Sequence, residues 1–167
     1  MSAAENAPKA PILRTPLEPL WLSAARRAVW GLLIGLVVAL VFVVLDHLKA
    51  NSVSQVCMQA RIIFLQYHAE KGAWPMACDL AAPGGQFGGF NLEPMTKAVA
   101  KCQVPGKWVF QSKSPTGGPA VVFTPAEPGR AYERAFGFAD GWVDDGHADK
   151  GDLLVREDVA LLRLSAE

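Results

Sequence analysis

The stretch AVWGLLIGLVVALVFVVL, residues 28–45, determines how the rest of the chain is interpreted. None of its 18 residues is charged, and Arg26 and Arg27 stand directly before it. As an α-helix with a rise of about 1.5 Å per residue it is roughly 27 Å long, which matches the hydrocarbon thickness of a bilayer. The sequence therefore predicts a single membrane-anchor helix near the N-terminus.

Two other interpretations of this apolar stretch fit less well. A cleaved signal peptide has an apolar region of about 7–15 residues, followed by a cleavage site with small side chains. Here the region is longer. In the flank that follows it, the −3 position relative to a cleavage site is Leu48, which is not a small residue. A helix buried in a soluble core is disfavoured because such a helix would be apolar on every face.

Basic residues are distributed unevenly about the apolar stretch. Lys9, Arg14, Arg26 and Arg27 precede it, whereas Lys49 is the one basic residue close behind it. Because positively charged flanks stay in the cytoplasm, we expect a cytoplasmic N-terminus. We predict a single-pass protein of a bacterial inner membrane, with its C-terminal domain in the periplasm.

This topology divides the chain into three regions. Residues 1–19 are rich in Ala and Pro and are expected to form a disordered cytoplasmic tail. Residues 20–48 are the predicted anchor, and residues 49–167 are the predicted extracytoplasmic domain. The part from residue 46 onward has 12 Lys and Arg against 14 Asp and Glu. Its net charge of −2 argues against nucleic acid as a partner.

Small residues recur along one face of the predicted anchor. Gly31 and Gly35 form a G-x-x-x-G pattern, which Ala39 extends. Side chains this small let a second helix approach closely, although Gly and Ala are also common in membrane spans in general. We expect the bilayer and other membrane or periplasmic protein subunits as partners.

Beyond the apolar stretch, an amphipathic helix is predicted to continue to Lys71. Its apolar positions are spaced by four and three residues, as on one face of a helix. They are Val53, Cys57, Ala60, Phe64 and Tyr67. Gly72 is suited to end this helix, and Pro75 prevents it from resuming. One long helix, or two abutting ones, should therefore extend from about Leu20 to Lys71.

The remaining sequence predicts short elements that could cover the amphipathic half. Residues 93–101 read as a short helix, and residues 107–113 and 120–124 as a β-hairpin. Residues 135–139 and 141–143 suggest a second, tight hairpin about Asp140-Gly141, and residues 159–165 suggest a last strand. The fold class predicted is α+β, with a small antiparallel sheet packed on the C-terminal half of the long helix.

Two short sequences resemble segments of a known family. QYHAEKGAWP, residues 66–75, is similar to the end of the long helix in pseudopilins, and DGWVDDG, residues 140–146, is similar to an acidic hairpin that some of them have. The layout thus resembles type IV pilins and the pseudopilins of type II secretion, which implies a pilin-like fold and a structural role. The family also has a leader that ends in Gly and a Glu early in the mature chain. No Glu lies in residues 28–45, so cleavage and entry into a filament stay open.

An acidic cluster near the C-terminus is the candidate metal site. Its carboxylates alternate with Gly141, Gly146 and Gly151, and hard oxygen ligands in a tight loop suit calcium. The candidate ligands are Asp140, Asp144, Asp145, Asp149 and Asp152. The resemblance points the same way, since some pseudopilins bind calcium in a comparable loop. The alternative is a solvated turn, because Asp and Gly are favoured in turns without any ion.

The three cysteines allow one disulfide bond. Cys78 and Cys102 are the pair we predict for an oxidising compartment, because both lie in the loop-rich middle of the chain. The alternative is three unpaired thiols, with Cys57 packed on the apolar stripe. Their spacings match no zinc motif.

No catalytic motif of the hydrolase, metalloprotease or nucleotide-binding kinds occurs in the chain. We therefore predict a non-enzymatic protein, a pseudopilin-like structural or interaction subunit of a secretion or pilus assembly. The alternative is an accessory subunit of a membrane enzyme or transport complex that packs through its anchor helix.

Overall fold

A computed structural model describes residues 20–127, 129–147 and 149–165. The predicted disordered tail, residues 1–19, lies outside them. Three α-helices are described, α1 (Leu20–Lys71), α2 (Glu93–Lys101) and α3 (Arg130–Val143). The strands are β1 (Cys78–Asp79), β2 (Gly106–Gln111), β3 (Ala120–Pro125), β4 (Leu153–Val155) and β5 (Ala160–Arg163). The chain divides into two compact units between Leu40 and Val41, and each is described by itself.

The first unit contains the N-terminal part of α1, and its apolar side chains are exposed. Trp30, Leu32 and Leu36 are 60%, 71% and 63% exposed. The most apolar window of α1 has a mean hydropathy of 3.0 and no buried residue. The described residues thus include one helix that is long and apolar enough to cross a membrane.

The second unit begins within α1 and contains all the other elements. Along this part of α1 the predicted stripe is buried: Val53, Cys57, Ala60 and Phe64 are inaccessible to solvent. The helix ends where the sequence predicts, because Gly72 adopts a φ of +66°, which other residues rarely do. The predicted bounds of the long helix are therefore confirmed.

An antiparallel sheet of five strands, in the order β1-β2-β3-β5-β4, forms the other layer of this unit. Its aromatic side chains pack on the helices: the ring centroids of Phe64 and Phe110 are 4.3 Å apart, and those of Phe123 and Phe136 are 4.9 Å apart. The predicted hairpin of β2 and β3, the short helix α2 and the C-terminal strand β5 are present. The prediction of an α+β fold with an antiparallel sheet is confirmed.

The hairpin predicted about Asp140-Gly141 is wrong, because this segment is the C-terminal part of α3. The apolar residues of the segment recur with a helical period rather than in alternation. Tyr132, Ala135, Phe136 and Ala139 are all buried, and positions i, i+3, i+4 and i+7 form one helix face. Burial of this face outweighs the turn preference of an Asp-Gly pair.

Candidate metal centre

Three carboxylates meet where α3 ends. Asp140 lies in the last turn of the helix, Asp144 is its C-cap residue, and Asp145 follows. One carboxylate oxygen from each lies within 4.8 Å of the others. The helix creates this group directly, since residues four apart project from the same face and the chain then turns back across the helix end.

Asp140 is the most unusual member of the group. It is fully buried, and neither of its carboxylate oxygens has a hydrogen-bond partner among the described residues. Burial raises its pKa to about 6, and the nearby carboxylates of Asp144 and Asp145 add to the rise, while His147 opposes it. Buried polar groups are normally paired, and a buried carboxylate without a donor is costly. A bound cation would supply the missing partner.

Asp144 closes the loop that follows α3. Its Oδ2 accepts hydrogen bonds from the backbone N–H groups of Asp152 and Leu153, the latter at 3.2 Å. Gly151 lies against this carboxylate, so that a Cβ at position 151 would overlap it, and its φ is +73°. The close approach of backbone to carboxylate therefore requires glycine at this position.

Asp145 is exposed, and its hydrogen bond is to a residue nearby in sequence. Its Oδ1 accepts a hydrogen bond of 2.8 Å from the backbone N–H of His147, a side-chain turn that Asp commonly forms. One of its carboxylate oxygens belongs to the group with Asp140 and Asp144.

The structure brings together three of the five predicted ligands. Asp149 is exposed and does not belong to the group. The Asp152 carboxylate is occupied by an ion pair, in which Arg61 Nη2 lies 2.8 Å from Oδ2. Asp152 thus contributes to the loop through its backbone and through Arg61, and it does not join the three clustered carboxylates.

Arg61 is the residue of this region that sequence reasoning missed. Besides pairing with Asp152, its Nη1 donates a hydrogen bond of 3.4 Å to the carbonyl of Val143. It therefore connects α1 to the end of α3 and to the loop. Asp152 is 91 residues away along the chain, and no local pattern could have revealed the pair.

The ligand chemistry fits a hard cation. Calcium takes 6–8 oxygen ligands, and carboxylates bind it through one or both oxygens. Three carboxylates would supply part of this shell, and water the remainder. No thiol lies in the group, so the donor set does not suit a soft metal.

The other predicted site residues lie elsewhere. A Cβ built at Gly31 or Gly35 would have no described atom within 4 Å, so this face of α1, which Ala39 extends, is open to another helix.

The predicted bond between Cys78 and Cys102 is absent, and both side chains are free thiols. Cys78 lies in β1 opposite Phe110, whereas the Cys102 thiol lies 3.9 Å from Ser52 Oγ on α1. The sheet and the loop after α2 hold these two cysteines against different neighbours. Cys57 is also free.

No protein-family model, curated protein or solved structure matches the chain. What the protein does is therefore inferred from its own residues.

Proposed function

We propose that the protein is a single-span membrane protein, with the N-terminus in the cytoplasm and a pilin-like interaction domain on the other side of a bacterial inner membrane. The observation that carries this proposal is the uneven exposure of α1. Its N-terminal apolar side chains are uncovered, whereas from Ala50 to Phe64 its apolar stripe is buried. Exposed apolar surface of this extent is stable in lipid rather than in water.

The domain would act as a structural or interaction subunit of a secretion or pilus assembly, in the manner of a pseudopilin. Two features support this role. One is the resemblance of residues 66–75 to the end of the long helix in pseudopilins. The other is the layout itself, in which an antiparallel sheet covers the second half of a 52-residue helix. The open Gly31–Gly35 face would then contact neighbouring helices.

Calcium is the ion that we propose for the group of Asp140, Asp144 and Asp145. The buried and unpartnered Asp140 supports this assignment, because the ion would offset the repulsion among three carboxylates. Its role would be structural: it would fix the end of α3 and the loop that Asp144 closes. The rigidity of this domain would then depend on extracytoplasmic calcium.

The decisive experiment is purification of the tagged full-length protein in mild detergent, with intact-mass analysis and identification of the proteins that accompany it. Components of a secretion or pilus system, recovered in stoichiometric amounts, would support the proposal. A single membrane enzyme or transporter in their place would favour an accessory subunit. Recovery of the protein from the soluble fraction without detergent would overturn both.

A matched pair of variants separates helix packing from anchoring. Gly31→Leu with Gly35→Leu fills the open face, whereas Val29→Leu with Val37→Leu adds bulk on other faces of the same helix. We expect the first pair to lose the partner and the second pair to keep it, with both inserted equally. Unchanged recovery with the glycine variant would exclude this face as the contact.

A further inference from the structure

One exposed helix face lies beside the end of the apolar stretch. Arg134, Phe138 and Trp142 are four residues apart on α3, so they line a single face. We refer to these three residues as the Trp142 surface. Phe138 and Trp142 are 42% and 47% exposed, although the opposite face of α3 is buried in the core.

The position of this surface along α1 is fixed by two contacts. The His47 ring centroid lies 4.8 Å from that of Phe138 and 5.9 Å from that of Trp142. Arg134 Nη1 lies 3.6 Å from Asp46 Oδ2. Because α1 rises about 1.5 Å per residue, His47 is only about 3 Å beyond Leu45, the last residue of the apolar stretch. All of these residues belong to the second compact unit.

This position corresponds to the headgroup layer of a bilayer. A hydrocarbon core of about 30 Å within a membrane of about 40–45 Å leaves roughly 5–8 Å of headgroup on each side. If the hydrocarbon ends near Leu45, the rings that contact His47 lie at this depth. An indole ring is favoured there, because it has an apolar body and a polar N–H.

The charge of the surface fits the same occupant. Arg134 forms an ion pair with Asp46, with 3.6 Å between Nη1 and Oδ2, and its side chain is still 62% exposed. Cationic side chains beside a membrane are attracted to lipid phosphate and to anionic headgroups. Aromatic and cationic groups therefore occur together, as they do where a protein surface lies against lipid.

We propose that the Trp142 surface lies in the headgroup layer of the bilayer that α1 enters, so that α3 rests on lipid through Phe138 and Trp142. This inference rests on the proposed membrane anchor. It adds a second membrane contact, which would hold the domain in a fixed orientation on the bilayer.

The experiment uses the full-length chain in vesicles of phosphatidylcholine and phosphatidylglycerol. Part of the phosphatidylcholine carries bromine near the headgroup end of one acyl chain, where it quenches tryptophan fluorescence. Trp21 and Trp30 are replaced by Phe, which removes the tryptophans of the anchor. Of the three that remain, Trp108 is buried in the core and Trp74 stacks near Phe110.

We expect the bromolipid to quench roughly one third of the emission, because one of the three remaining tryptophans lies at the interface. Trp142→Phe in the same background should abolish this quenching. The matched control Trp74→Phe removes a tryptophan of the domain and should keep it. Both are conservative changes, and circular dichroism would show that each variant is folded.

Flotation of the vesicles distinguishes the two ways to fail. A chain that does not float with lipid overturns the anchor and this inference together. A chain that floats while Trp142 escapes quenching overturns only the lipid contact, and this result includes the case in which a second protein covers the surface. Quenching that is equal before and after Trp142→Phe overturns the lipid contact as well.

Discussion

Replacing Asp140 by Asn should have opposite effects on stability in the absence and in the presence of calcium. The pKa of Asp140 is raised from 3.8 to about 6, chiefly by burial. One pKa unit corresponds to about 1.4 kcal/mol, so the charged form costs the ion-free protein at most about 3 kcal/mol, and less where water screens the carboxylate. Asn has nearly the same shape and no charge. The ion-free variant should therefore be more stable than the wild type at pH 8.

The pH dependence has a defined sign. Because the folded-state pKa lies above the unfolded one, the folded protein binds more protons between these two values. Asp140 therefore destabilises the ion-free protein above pH 6, and this destabilisation disappears as the pH falls from about 6 to about 4. The difference between wild type and Asp140→Asn should be largest at pH 8 and close to zero at pH 4.

Calcium should reverse the order. A ligand at about 1,000 times its Kd stabilises the folded state by about 4.1 kcal/mol, which exceeds the cost of about 3 kcal/mol for the charged Asp140. The wild type should gain this amount, whereas Asp140→Asn has lost a charged ligand and should gain much less.

Thermal unfolding of the detergent-solubilised protein, followed by circular dichroism with EDTA or with calcium at pH 8, provides the measurement. About 1 kcal/mol corresponds to roughly 2–4 °C in Tm for a chain of this size. The control is Asp149→Asn, which removes an exposed carboxylate outside the group and should change neither value. A variant that is less stable than the wild type in EDTA, or one that responds fully to calcium, would refute the assignment.

Three further predictions concern the domain itself, each measurable on the purified protein. Gly151→Ala should destabilise it by about 1–3 kcal/mol in thermal unfolding, because the added Cβ overlaps a carboxylate at a positive φ; Gly118→Ala, which meets nothing within 4 Å, is the control. Phe64→Ala removes a fully buried ring and should cost about 3–5 kcal/mol in urea unfolding; a similar loss for the exposed Ile62→Ala would contradict this. Burial raises the pKa of the Cys57 thiol to about 12, so iodoacetamide at pH 8 should modify Cys57 only after unfolding, and rapid labelling of the native protein would show that the site is open.

The sequence predicts well the elements that keep a periodic apolar pattern over many residues or that are bounded by Pro and Gly turn residues. The bounds of α1 follow from an apolar stretch, an amphipathic stripe and Gly72, and all three act locally. The hairpin of β2 and β3 is equally clear, because a turn rich in Pro and Gly separates two β-branched and aromatic runs.

The segment from Tyr132 to Val143 is less predictable because two local signals conflict. Asp140-Gly141 favours a turn, whereas the spacing of Tyr132, Ala135, Phe136 and Ala139 favours a helix. The contacts of Tyr132 and Phe136 with Phe123, and of Phe136 with Trp108, decide between them, and both partners lie on strands outside the segment.

The candidate metal centre is likewise predictable only in part from the sequence. Composition alone identifies a loop rich in Asp and Gly. It cannot tell which carboxylates converge, because that depends on α3 being a helix, which places Asp140 and Asp144 one turn apart. Nor can composition show that Arg61 forms an ion pair with Asp152, since that pair forms only when α1 packs beside the loop.

The edges of the sheet limit how copies of this domain can associate. The outer strands β1 and β4 contain two and three residues, so a neighbouring chain could form very few main-chain hydrogen bonds to either of them. Short edges of this kind are a common protection against edge-to-edge aggregation. Assemblies of this domain would therefore be joined through helix faces and loops, and a denaturing detergent should take them apart, unlike a continuous cross-β structure.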